Sequence, residues 1–107
     1  MSFHLSAEDI RIEDNHVLVA RLRDSNGELR DASIDLNQFL GNDNGHFQWD
    51  GVNFSESAEG VHFAIEGGGE VPVLRAQLAN VDGEYQEADV NLSERIINVD
   101  GQFQFQY

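Results

Sequence analysis

A chain of 107 residues, 40% of them hydrophobic, has enough apolar material for one core but not for several domains. Twenty acids against six bases leave a net charge of −14, which argues against nucleic acid and anionic membrane as partners, because gripping phosphate takes Lys and Arg. The absence of Cys removes disulfide and thiol chemistry, and no stretch reaches the ~20 apolar residues of a membrane span.

In chain order, Met1 to Asp9 lacks a basic region followed by an apolar run, so no secretory signal is expected. The expected location is cytoplasmic, or outside the cell by a non-classical route. Ile10-Arg-Ile12 and Leu18-Val-Ala20-Arg-Leu22 alternate with period two, the mark of strands wet on one face. Asp24-Ser-Asn-Gly27 is a hairpin signal, since Asn, Asp and Gly tolerate positive φ. Over Leu36-Asn-Gln-Phe-Leu40 the apolar spacing changes from two to four, which predicts a single helical turn, followed by a second hairpin at Asn42-Asp-Asn-Gly45. Val61-His-Phe63-Ala-Ile65 and Leu74-Arg-Ala76-Gln-Leu78 alternate again. Between them the Gly67-Gly68-Gly69 run reads as a flexible hairpin tip, and Pro72, the sole proline, is expected at an edge or a strand start. Asn80-Val-Asp-Gly83 repeats the turn chemistry. A helical turn is predicted over Leu92 to Ile97, then a hairpin at Asn98-Val-Asp-Gly101 and a strand over Phe103-Gln-Phe105-Gln-Tyr107.

The order of elements repeats because the residues repeat. Leu36 and Leu92, Leu40 and Ile96, Asn42 and Asn98, Gly45 and Gly101, and Phe47 and Phe103 all stand 56 residues apart. The same spacing relates Leu18, Ala20, Leu22 and Gly27 to Leu74, Ala76, Leu78 and Gly83. Near the start of each copy the spacing falls to 51, where Phe3-x-x-Ser6-Ala7-Glu8 matches Phe54-x-x-Ser57-Ala58-Glu59, so the second copy carries an insertion in its Gly-rich stretch. A duplicated fold duplicates its sites. Each copy, 1–53 and 54–107, is near the lower limit for independent folding, so the copies are expected to interlock into one domain.

Most reactive chemistry lacks a pattern. Turn formation accounts for the four Asn/Asp-rich turns without calcium, since the further acids and distal Glu of a calcium loop are missing. His4, His16, His46 and His62 do not fall at zinc-ligand spacing, and His46 and His62 are expected to face solvent. No Ser lies in a Gly-x-Ser-x-Gly elbow, and Gly67-Gly68-Gly69 does not lead from a strand into a helix as a phosphate cradle does. No cofactor is implied. Asn53-Phe-Ser55 and Asn91-Leu-Ser93 are formal glycosylation sequons, expected to go unused without a secretory signal. What remains is a repeated set of hydroxyls, amides and carboxylates: Ser6 and Ser57 after a Phe, Asn42 with Asn44, and Asn98 with Asp100. Such mixed donors and acceptors suit sugar hydroxyls, which are both at once. Turn capping explains the same residues.

Ser33-Ile-Asp-Leu-Asn37, Gly41-Asn-Asp-Asn-Gly45, Phe47-x-Trp49 and Asn53-Phe54, with Asn91-Leu92, Ile96-Ile-Asn-Val-Asp-Gly101 and Phe103, resemble the cyanovirin-N homolog family of lectins over essentially the whole chain. The resemblance implies an elongated all-β pseudo-dimer, with a triple-stranded sheet and a hairpin per pseudo-domain and strands exchanged between repeats. Pseudo-domain A would comprise 1–38 plus 90–107, and pseudo-domain B 39–89. It further implies non-catalytic binding of mannose-rich glycans, preferring α1-2-linked mannose, at one pocket per pseudo-domain at opposite ends.

Carried over residue by residue, the resemblance puts the first pocket at Ser6, Arg23, Ser25, Asn98, Val99 and Asp100. Leu5 replaces one of a polar pair, and Arg23 replaces a strand-end acid. The second pocket would use Asn42, Asp43, Asn44, Asn53, Glu56, Ser57 and Asn80. There Ala79, Asn80 and Val81 replace a Lys-Thr-Arg loop, and Val81 has no side-chain donor, so this pocket is expected to be weaker or altered in preference. Ala7 with Leu22, and Ala58 with Leu78, occupy positions where the family pairs cysteines. Burying a Leu at ~1.5–3 kcal/mol offsets part of a disulfide worth ~2–4 kcal/mol.

Two other classes compete. An intracellular β-scaffold that binds a protein, or has altered or lost sugar specificity, is motivated by Arg23, Ala79 and Val81. A hydrolase using carboxylates has no constellation in its favour. The expected state is a monomer, with a domain-swapped dimer open to two repeats joined by a short linker near Gly51-Val-Asn53.

Overall fold

The computed structural model describes residues 3–68 and 71–106. Gly69 of the predicted hairpin tip, and Tyr107 of the last predicted strand, lie outside them. The fold is all-β, 50 × 27 × 23 Å along its principal axes. Strands β1 (Ala7–Glu13), β2 (Val17–Arg23) and β3 (Leu29–Asp35) form one antiparallel sheet, and β4 (Leu40–Asp43) and β5 (His46–Trp49) a hairpin. The second copy repeats this with β6 (Ala58–Glu66), β7 (Val71–Ala79) and β8 (Tyr85–Asn91), then the hairpin β9 (Ile96–Val99) and β10 (Gln102–Phe105).

The predicted helical turns are 3-10 turns and shorter than the apolar spacing indicated. They span Leu36–Gln38 and Leu92–Glu94, capped by the Asp35 and Asn91 side chains, which accept from the N–H groups of Asn37 and Ser93. Leu40 and Ile96 already begin strands. Two further 3-10 turns, Phe3–Ser6 and Phe54–Ser57, open the copies. Four residues are too few to show a period. The last strand ends at Phe105, and one further in-register bond, from Gln106 N–H to Arg95 O (2.6 Å), closes the hairpin. Pro72 sits near the start of β7, opposite Ile65. Although β7 is the middle strand, its pairing with β8 begins only at Val73, so the missing N–H breaks no second ladder.

The copies interlock by exchanging hairpins. Hairpin β9–β10 packs on β3, and β5 packs on β8. Phe3 therefore meets Phe103 edge-on at 5.4 Å, while its duplicate Phe54 meets Phe47 at 5.5 Å. Both Phe3 and Phe54 are buried, with Leu18, Leu22, Leu36 and Leu40 and their counterparts Leu74, Leu78, Leu92 and Ile96, in one core. Trp49 and Phe105 hold matching positions and touch each other at 5.7 Å, and Phe39 stacks on Phe105 at 4.4 Å, so the pseudo-twofold seam is aromatic. Gly51 passes Gly41 so closely that a Cβ on it would lie 2.8 Å from the Gly41 backbone. Asn37 fastens the linker: its carbonyl accepts from Asn53 N (2.8 Å), its amide donates to Ser55 Oγ (2.7 Å), and its Oδ1 accepts from Ser55 N (3.2 Å).

Ala7 lies directly opposite Leu22, and Ala58 opposite Leu78. Both leucines are fully buried, so a small and a large apolar side chain fill each pair of positions where the resemblance implies paired cysteines. Leu22→Ala and Leu78→Ala should each cost ~2–5 kcal/mol in equilibrium unfolding, with similar values for the two because the sites are duplicates.

Candidate functional site

Each copy's hairpin turn docks against the sheet of the other copy, and one Asn makes the junction. Asn98 donates through Nδ2 to Ser6 Oγ (3.0 Å) and to the Arg23 carbonyl (3.0 Å), while its Oδ1 accepts from Gly101 N (2.9 Å). Asn42 does the same with Ser57 Oγ (2.8 Å), the Ala79 carbonyl (2.8 Å) and Gly45 N (2.8 Å). A second contact runs parallel to each. Asp100 Oδ1 accepts from Ser25 N (2.8 Å), and Asn44 Oδ1 accepts from Val81 N (3.0 Å). Asp100 and Asn44 occupy the left-handed region, at φ 50 and 49°, which Asp and Asn tolerate better than other side chains. These bonds join Ser6, Arg23, Ser25, Asn98 and Asp100 at one end, and Asn42, Asn44 and Ser57 with the β7–β8 turn at the other.

In the first cluster, Ser6, Arg23, Ser25, Asn98, Val99 and Asp100 surround the β2–β3 turn. Arg23 donates to Gly27 O (3.0 Å) and Glu8 (3.3 Å), which lays its guanidinium along the rim. Ser25, Val99 and Asp100 are exposed. The Ser25 N–H, then its hydroxyl, hold the Asp100 carboxyl below the ordinary carboxylate range. In the second cluster, Asn42, Asp43, Asn44, Ser57 and Asn80 surround the β7–β8 turn. Asn53, in the left-handed region (φ 61°), donates its N–H to the Asn37 carbonyl, and Glu56 is exposed on the 3-10 turn that ends in Ser57. Val81 is 82% exposed, so an apolar tip stands where the first cluster presents Ser25.

The turns themselves are built by a residue pair that the sequence marked only as turn-forming. Asp24 Oδ1 accepts from Asn26 N (2.8 Å) and Glu28 N (3.0 Å), and Asn80 Oδ1 accepts from Asp82 N and Glu84 N (both 3.0 Å). Asp24 adds an ion pair to Arg30 Nε (2.5 Å), although its side chain is only 2% exposed. Arg30, then the Glu28 N–H, lower its pKa. Arg30 also abuts Gly101, as Gln86 abuts Gly45 in the other copy. The matching positions of Asp24 and Asn80 were the available signal. Arg30 and Gln86 share a position but no chemistry, which hid them.

The clusters thus comprise turn backbones held rigidly by internal amides, around a few outward hydroxyls, amides and carboxylates. The CVNH domain family model matches residues 3–104. The chain belongs to the cyanovirin-N homolog family of lectins. It is 52% identical to the cyanovirin-N homolog of Neurospora crassa, with both chains fully covered. The solved structure of the Gibberella zeae homolog matches with a TM-score of 0.89 and 45% identity, over 98% of this chain and 97% of that one. A designed cyanovirin-N homolog lectin matches with a TM-score of 0.91 and 41% identity, over 99% and 100%.

Two outcomes follow. Asn98→Ala or Asn42→Ala should cost ~1–2 kcal/mol of unfolding free energy, because a half-buried serine hydroxyl and a strand-end carbonyl each lose a donor. For Asp24 and Asp100 the folded pKa is depressed, so their stabilisation is present above the unfolded pKa and is lost as pH falls through the folded one. Melting temperature should therefore decline below pH ~4, and Asp24→Asn, which copies Asn80, should shallow that decline.

Proposed function

We propose that the two clusters are saccharide sites, one per pseudo-domain, that bind mannose-rich glycans with α1-2-linked mannose and carry out no catalysis. The observation that carries this reading is the pair of pre-set polar clusters, each joining a hairpin turn of one repeat to the sheet of the other. The internal bonds of Asn42 and Asn98 leave the outer groups to meet sugar hydroxyls at little ordering cost. In the first site Ser25 and Asp100 face the ligand, a carboxylate being a strong acceptor for hydroxyls, and Arg23 closes one side. In the second, Asn44, Asn53, Glu56 and Asn80 supply amides and a carboxylate.

Relatives support a sugar ligand in general: a MoCVNH3 variant, 26% identical with a TM-score of 0.81, was solved in complex with (N-GlcNAc)4. Each site alone is weak, since hydroxyls exchange water for protein partners, and two sites on one chain gain by avidity on a branched glycan. The working form is a monomer. The exposed Val81 favours a second reading for the β7–β8 end, an altered sugar preference or a protein contact.

Titrating isotope-labelled protein with α1-2-linked mannobiose to millimolar concentration should shift amides at Ser6, Ser25 and 98–100, and at 42–44 and 53–57. Ser25→Ala should weaken the first site about fivefold while leaving the Asn98 contacts in place. Unchanged binding in that variant would remove Ser25 from the site, and no shifts with mannobiose would turn the reading toward other glycans or a protein partner.

A further inference from the structure

The duplication makes the second sheet's outer face conspicuous, because next to its turn it is open where an ion pair bridges its counterpart. Along β7 and β8 the register pairs Ala79 with Tyr85, Gln77 with Glu87, and Arg75 with Asp89. These side chains point outward, since Leu74, Ala76 and Leu78 between them are buried. Tyr85 is 49% exposed beside the turn that carries Asn80 and Val81. Past it lies a concavity of about 290 Å³ walled by His62, Arg75, Gln77 and Glu87. Ala76 and Ala88 are at its floor. Ala76 turns its methyl into the core.

Two local choices keep this concavity open. The β6 bulge falls at Gly60, and nothing lies within 4 Å of where its Cβ would stand. Arg75 is drawn off along the face by both oxygens of Glu66, at 2.5 and 2.6 Å, with Asp89 at 3.4 Å. In the first repeat the bulge residue is Asp9 and the residue matching Gln77 is Arg21, and their ion pair, at 2.5 Å, spans the same place. Leu29 and Arg23 stand where Tyr85 and Ala79 do, with Arg23 tied to Glu8. That face has its own concavity, of about 430 Å³, but it lies beyond the pair, around Arg11, Val19, Asp31 and Ser33, and is cut off from the turn.

We propose that the outer face of β6–β8 is an extension of the β7–β8 saccharide site: a track on which a longer neutral glycan leaves the turn, stacks a sugar ring on Tyr85 and places a further unit between Gln77 and Glu87. The proposal rests on the β7–β8 end being a saccharide site. The residues define the ligand class. An exposed aromatic face takes the C–H side of a pyranose, a Gln amide and a carboxylate take its hydroxyls, and Glu66, Glu87 and Asp89 repel sulfated or uronic sugars. From Asn80 to Arg75 the strand advances roughly 17 Å, which suits about three or four linked sugar units and exceeds a disaccharide. In the first repeat the Asp9–Arg21 pair and Arg23 stand between the turn and that sheet's concavity, so the two ends would discriminate glycan length differently.

The test compares α1-2-linked mannobiose with a linear α-linked mannopentaose on the labelled full chain. Mannopentaose should add amide shifts at Gly60, Gln77 and Glu87 to those at 42–44 and 53–57, and bind the β7–β8 end about five- to tenfold more tightly than mannobiose. Tyr85→Ala should erase most of that ratio while leaving mannobiose affinity unchanged. Gly60→Asp combined with Gln77→Arg, which installs the first repeat's pair, should do the same, and the amide spectrum of each variant shows whether it has folded. Mannopentaose shifts confined to 42–44 and 53–57, with a ratio near one in the wild-type chain, would overturn the track and leave the turn site standing. No shift at that end with either sugar would overturn both.

Discussion

Two half-buried amides, Asn42 and Asn98, govern the arrangement of this molecule. Each ties the hairpin of one repeat to a serine hydroxyl and a strand-end carbonyl of the other, while closing its own turn through a glycine N–H. A side-chain amide has two donors and an acceptor that must be satisfied once removed from water, and here all are spent on the junction. The constraint is reciprocal. If either hairpin leaves its partner sheet, a serine and a carbonyl are stranded as well as a phenylalanine contact. The same bonds explain why polar groups gather at these turns, since each turn brings together side chains from both repeats.

On that common frame the two ends have diverged in charge and shape. The first end carries Arg23, Arg30 and a hydroxyl on Ser25, and its turn is built by an ionised Asp24. The second has Asn80 doing the backbone work of Asp24 without a counter-ion, and Val81 and Tyr85 exposed. The bulges diverge in parallel. Asp9 holds a positive φ of 56°, uncommon for a residue with a side chain, and pairs with Arg21, whereas Gly60 takes a similar φ of 62° and leaves its surroundings open. Duplication therefore supplied two equivalent scaffolds, and a handful of outward residues made them unequal.

Much of the scaffold was legible from local patterns. Period-two alternation marked β2, β6 and β7, Asn-Gly and Asp-Gly marked the turns, and the constant spacing between matching residues marked the repeat. The misjudged elements were those whose signal is short or shared. The 3-10 turns at Phe3 and Phe54 are briefer than any period, and those after Asp35 and Asn91 stop early because a capping side chain ends the strand and Leu40 or Ile96 starts the next. Within the clusters, Asn98 and Asp100 could be picked out as turn residues. That Asn98 reaches Ser6, 92 residues away, is a property of the exchange and of no local pattern.

Alternation, turn chemistry and the duplication were thus determined by the sequence alone, because each depends on neighbours a few residues apart or on direct comparison of the two halves. Tertiary structure decided which atoms within the clusters are spent internally and which face outward, since that depends on the partner each hairpin finds across the molecule. It also decided that Asp24 is buried against Arg30, and that the outer face beside the β7–β8 turn is open while its duplicate is bridged by Asp9 and Arg21. The last of these outcomes turns on cross-strand register at two bulges, where a single inserted residue sets which side chains stand opposite each other.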